Sequence, residues 1–135
     1  MYKSMNMDNI LDQIELLPIF DKLTFLYLFG SSCNGKATKR SDIDLCFYYD
    51  IKDKKKLYKL MFKITALFPD KYDIQMFQLL PLYIKKEVFK GELLYSIDKK
   101  YVHDIARKTI EEYDDFKPRY KYILYGKNKI EGAIL

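Results

Sequence analysis

Gly30-Ser31-Ser32-Cys33-Asn34-Gly35-Lys36-Ala37-Thr38-Lys39-Arg40-Ser41-Asp42-Ile43-Asp44-Leu45 joins two apolar runs, and its reading decides the fold. Upstream, Thr24-Phe25-Leu26-Tyr27-Leu28-Phe29 is aromatic and branched enough for a buried strand, and it stops at a Gly-Ser pair suited to a tight turn. Downstream, Asp42-Ile43-Asp44-Leu45-Cys46-Phe47-Tyr48-Tyr49 predicts a second strand that opens with two carboxylates. Side chains two apart on a strand share a face, so Asp42 and Asp44 converge while Ile43 and Leu45 point the other way.

Two carboxylates on one face repel, and a cation, protonation or open solvent must relieve the repulsion. Magnesium suits the site, because it takes oxygen ligands from one or two carboxylates and completes its octahedron with water and phosphate. The Gly30-Ser31 turn at the end of the neighbouring strand offers backbone N–H groups and the hydroxyls of Ser31 and Ser32 to such phosphates. Ser32 has a plainer role open to it, capping a short helical turn after Ser31.

A chain of 135 residues is read as one domain, residues 1–135, long enough to bury a core. Its 49% apolar fraction, five glycines and four prolines argue against disorder. No apolar run reaches membrane-spanning length and the N-terminus lacks a signal-peptide core, so a soluble, cytoplasmic protein without a membrane partner is expected. Two cysteines are too few for a disulfide framework, and a single histidine leaves no full set of zinc ligands. Cys46, within a strand, reads as a small buried hydrophobe. The net charge of +5 and the run Lys52-Asp53-Lys54-Lys55-Lys56 invite a nucleic-acid reading, but a lysine cluster at a helix start is ordinarily solvated surface.

In chain order, Asp8 or Asn9 can cap a helix with Ile10, Leu11, Ile14 and Leu17 on one stripe, ended by Pro18. After the second strand, Asp50 to Asp53 turn into a helix carrying Leu57, Leu60, Met61, Ile64, Leu67 and Phe68 on one face. Pro69-Asp70-Lys71 breaks it. Tyr72-Asp73-Ile74-Gln75-Met76-Phe77-Gln78-Leu79 then reads as a third strand, and if it lies beside the second, Asp73 joins the carboxylate face while Ile74 and Met76 enter the core. Pro81 suits the first turn of a helix with Leu82, Ile84, Val88 and Phe89, and Gly91 its C-terminal cap. Glu92 to Ile97 reads as a fourth strand. From Lys99 a helix carries Val102, Ile105, Ala106, Ile110, Tyr113 and Phe116, with Pro118 as a break or kink and a loose tail past Gly126. His103 near its start reads as structural, and most of the thirteen tyrosines are expected to pack with the hydroxyl outward. Strands alternating with helices make an α/β domain of about four strands.

Two phosphate-binding patterns compete for the opening stretch. Gly30 and Gly35, four residues apart and followed by Lys36, approach a P-loop, but Ala37 stands where that motif needs Ser or Thr, and a strand opens where it needs a helix. Gly-Ser, ten residues, then Asp-x-Asp accounts for Gly30, Ser31, Asp42 and Asp44 together.

Gly30-Ser31, the ten-residue interval, Asp42-Ile43-Asp44 and the later Asp73 resemble the signature of the polymerase β type nucleotidyltransferases. The short length, Leu28-Phe29-Gly30-Ser31, Gly35 and Ser41-Asp42-Ile43-Asp44-Leu45 are similar to its minimal members, the MNT-type antitoxins of HEPN/MNT toxin-antitoxin pairs. The likeness continues through Lys90-Gly91-Glu92-Leu93-Leu94-Tyr95 and Glu112-Tyr113-Asp114-Asp115-Phe116-Lys117-Pro118. Members commonly carry a small residue and an arginine where this chain has Cys33 and Asn34. The resemblance implies a polymerase β-like fold with a small mixed β-sheet and packed helices. It also implies magnesium-dependent transfer of AMP from ATP to a tyrosine hydroxyl of a partner HEPN ribonuclease toxin, with pyrophosphate leaving. On that basis Gly30, Ser31 and Ser32 hold the triphosphate, Asp42 and Asp44 bind two magnesium ions, and Asp73 is both ligand of the catalytic ion and base for the acceptor.

Other classes remain for such a chain. An inert antitoxin would act by occlusion, although clustered carboxylates have no use there. An aminoglycoside-type nucleotidyltransferase generally carries an added C-terminal domain, for which 135 residues leave no room unless a dimer supplies it. Direct nucleic-acid binding rests on net charge alone.

Overall fold

A computed structural model of the chain describes residues 10–30 and 43–131, with side chains through residue 116. Four strands form one sheet: β1 (Leu23–Phe29), β2 (Ile43–Tyr49), β3 (Tyr72–Met76) and β4 (Glu92–Ser96) in the order β3-β2-β1-β4. β1 runs antiparallel to β2 and to β4, and β2 runs parallel to β3, so the sheet is mixed. Parallel neighbours need a crossover, and helix α1 (Lys54–Thr65) supplies it between β2 and β3. Helices α2 (Leu82–Val88) and α3 (Lys99–Glu131) flank β4 in the chain.

The two faces of the sheet bury different sets. On one, Leu26, Leu28, Leu45, Phe47, Tyr49, Tyr72, Ile74 and Met76 pack with Leu57, Leu60 and Ile64 of α1 and with Ile10, Ile14 and Leu17 from the N-terminal turns. Leucine or isoleucine buried this completely stabilises by about 2 kcal/mol each. On the other, Phe25, Tyr27, Phe29 and Cys46 pack with Phe77, Val88 of α2 and Val102 of α3. β1 is buried along its whole length because it is central and covered on both faces. A register shift between Leu23 and Phe25 brings Leu23 onto the same face as Leu26, which strict alternation from Phe29 backwards does not predict.

Several elements differ from expectation, each for a local reason. The stripe Ile10, Ile14, Leu17 is buried, but on turns and a 3-10 segment, Ile14–Leu16, rather than an α-helix, and Leu11 is exposed; the Asp8 or Asn9 cap lies outside the described residues. β3 ends at Met76, where a 3-10 turn, Phe77–Leu79, drops Phe77 into the aromatic cluster around Phe25 and Phe89. There the Gln78 amide donates to the Tyr49 carbonyl and, at 3.4 Å, to that of Ile51. Pro81 is the N-cap of α2 rather than its first residue, and Phe89, not Gly91, is the C-cap. Instead, Gly91 lies where an added Cβ would overlap the Leu28 carbonyl and come within 3.0 Å of Phe29 Cα, so the α2–β4 turn presses directly on the end of β1. Pro118 does not break the last helix, nor does Gly126 end it, since α3 continues to Glu131. Tyr49 reverses the expectation for tyrosines: it is fully buried, and its hydroxyl finds no hydrogen-bond partner among the described residues.

The lysines at the start of α1 are exposed, with Asp53 capping the helix by accepting from the Lys55 N–H at 2.9 Å, worth about 1 kcal/mol. No helix among the described residues is long and apolar enough to cross a membrane.

Candidate active site

The described sequence candidates meet at the corner where β1 ends and β2 begins. Leu45, Phe47 and Tyr49 commit alternate positions of β2 to the α1 side of the sheet, which turns Asp44 and Cys46 to the α2–α3 side. Tyr72, Ile74 and Met76 do the same on β3 and turn Asp73 and Gln75 to that same face. The parallel register then sets Asp44 beside Asp73 and Cys46 beside Gln75. Neighbouring strands lie about 4.8 Å apart, so the two carboxylates, both half-buried, share one small patch.

Gly30 closes this patch from the β1 side. Phe29 is the antiparallel partner of Asp44, and Gly30 follows with φ +83°, the left-handed region that glycine enters without steric cost. A Cβ built on Gly30 would overlap the Asp44 carboxylate oxygen Oδ2, so the turn backbone passes directly against that carboxylate. The sheet thus brings together three of the sequence candidates: Gly30, Asp44 and Asp73. Ser31, Ser32 and Asp42, together with Cys33 and Asn34, lie outside the described residues. Among the described residues no third His, Cys, Asp or Glu completes a metal-binding group with the pair.

Sequence reasoning passed over one neighbour, Gln75, whose Nε2 donates to Asp73 Oδ2 at 3.0 Å. The signal was available in the i, i+2 spacing that puts both on one face. Cys46, next to this site, is fully buried, and burial pushes its thiol well above the usual range, with Lys85 pulling weakly the other way. A protonated, inaccessible thiol is a packing group and no nucleophile. His103 is exposed on α3.

The donor set fits magnesium. Two adjacent carboxylates would supply its protein oxygens, and the lack of a side chain at Gly30 lets the Asp44 carboxylate sit directly against the turn.

Residues 12–100 match the family described as Polymerase beta, Nucleotidyltransferase. Protein adenylyltransferase MJ1547 of Methanocaldococcus jannaschii is 39% identical to this chain over 98 residues, 73% of this chain and 75% of that protein. The chain belongs to the polymerase β nucleotidyltransferase family, and nucleotidyl transfer is its activity. Its fold is also that of a toxin-antitoxin solved with AMP-PNP, at a TM-score of 0.71 and 22% identity over 90% of this chain and 98% of that one. A complex of a tri-AMPylated Shewanella oneidensis HEPN toxin with its MNT antitoxin matches at a TM-score of 0.64 and 20% identity, over 88% and 96% of the two chains. The toxin-antitoxin MntA-HepT matches at 0.66 and 22% identity, over 90% and 97%.

Proposed function

We propose that this chain is a magnesium-dependent antitoxin that transfers AMP from ATP to a tyrosine hydroxyl of a cognate HEPN ribonuclease toxin and so silences it. The observation that carries the reading is the pairing of Asp44 with Asp73 on one face against the Gly30 turn. Its support from relatives is the 39% identity to a protein named for adenylyl transfer, and a shared fold with an antitoxin whose partner toxin is AMPylated.

Each residue has a role in this scheme. Gly30, Ser31 and Ser32 cradle the triphosphate, Asp42 and Asp44 hold two magnesium ions, and Asp73 is a ligand of the catalytic ion and the acceptor's base. The tyrosine oxygen forms a bond to the α-phosphorus while the bond from that phosphorus to the pyrophosphate oxygen breaks. Pyrophosphate departs with the electron pair, and the phenolic proton passes to the Asp73 carboxylate. Bound magnesium supplies charge neutralisation at the attacking and leaving oxygens. The work of the chain itself is positioning, which converts an encounter of two substrates into a reaction within one complex. A single domain suffices, because the acceptor is a protein that brings its own structure. We place the reaction in the cytoplasm, where ATP is abundant and a free thiol such as that of Cys46 stays reduced.

The test is mass spectrometry of the protein encoded beside this one after incubation with this chain, ATP and magnesium. The reading predicts a gain of one or more AMP units on a tyrosine. A toxin silenced with its mass unchanged contradicts it and favours inhibition by occlusion.

A further inference from the structure

Gln75 touches Asp73 and has no part in the scheme above. The two side chains leave β3 on the same face, two residues apart, with Gln75 level with the buried Cys46 of β2. A carboxylate only accepts, so the amide presents its nitrogen to it, and Nε2 donates to Oδ2 at 3.0 Å. Half-buried beside Cys46, an amide costs more to desolvate than an aliphatic side chain would, and the hydrogen bond to Asp73 offsets that cost.

We infer that Gln75 is a positioning residue for metal binding: by holding Oδ2 it fixes the rotamer of Asp73 and leaves Oδ1 as the oxygen for the cation shared with Asp44. The inference rests on the metal-binding role proposed for Asp73. An aspartate without such a partner samples several rotamers, and each binding event must then order it. Here the hydrogen bond from the Gln75 amide does that ordering in advance. Removing partners of this kind typically weakens metal binding about 10- to 100-fold.

The experiment titrates manganese, a paramagnetic stand-in for magnesium, into the full chain with AMP-PNP and follows free ion by electron paramagnetic resonance. Gln75→Met and Gln75→Leu keep the bulk and remove the donor, so a folding defect in one leaves the other to decide. Both are expected to raise the apparent manganese dissociation constant about tenfold. In the transfer assay they should need more magnesium for half-maximal rate, with the KM for ATP unchanged once magnesium saturates. A thermal midpoint lowered without a change in manganese affinity would make Gln75 a merely structural residue and overturn the inference. Wild-type chain that takes up no manganese would overturn the metal site itself, a failure distinct from equal binding by wild type and variants.

Discussion

Asp44 of β2 and Asp73 of β3 are direct partners across a parallel strand pairing. Their meeting depends on register, since a slip of one residue would send Asp73 to the α1 side and bring Tyr72, Ile74 and Met76 out of the core. Burial of those three side chains, at about 2 kcal/mol each, resists that slip. The hydrophobic pattern of β3 is therefore what keeps a repelling pair of carboxylates together.

Gly30 should tolerate no side chain. A residue other than glycine at φ +83° costs about 1 to 2 kcal/mol, and the new Cβ would also displace the Asp44 carboxylate. Gly30→Ala is expected to lower the thermal midpoint modestly while reducing AMP transfer at least tenfold. Transfer at the wild-type rate would show that the turn does not shape the site.

Gly91→Ala should act through packing alone. Its φ is ordinary, but the added methyl meets the Leu28 carbonyl, which is backbone and cannot rotate away. Forcing it in should cost roughly 2 kcal/mol or more. Urea denaturation would read this as a lower midpoint with the slope preserved, and because the strained segment leads into Phe29 and Gly30, ATP binding should weaken as well. An unchanged midpoint would contradict the close approach.

Cys46 makes stability pH-dependent in a stated direction. Unfolded, its thiol ionises near pH 8.5, whereas burial raises the folded value well above that. Above about pH 8.5 the unfolded chain has released a proton that the folded chain retains, so stability falls as pH rises, with a slope approaching about 1.4 kcal/mol per pH unit. Denaturant titrations from pH 7.5 to 10 should show the gap between wild type and Cys46→Ala narrowing across that range. A constant gap would mean that the thiol ionises in the folded state too.

Much of this architecture was readable because the chain alternates plainly. Leu45, Phe47 and Tyr49 on β2, and Tyr72, Ile74 and Met76 on β3, alternate as strands should, and with β3 beside β2 that alternation puts Asp44 and Asp73 on one face. What was not readable depended on contacts between distant segments. The register shift at the start of β1 follows from pairing with β2, the role of Gly91 from the approach of β1, and the burial of Tyr49 from packing under α1. Periodicity reports which way a side chain points and nothing of what it meets. The 3-10 turn at Phe77–Leu79 was hidden for the same reason: Phe77 keeps the alternation of β3 while the backbone has already left the sheet.

Incorporation of label from α-labelled ATP into the partner toxin, measured for wild type, Asp44→Asn and Asp73→Asn in saturating magnesium, tests the central claim most directly. These near-isosteric changes remove charge from the shared patch, so the account predicts that each abolishes transfer while the thermal midpoint is kept, and that Asp73→Asn still binds ATP. Undiminished labelling by either variant would contradict it.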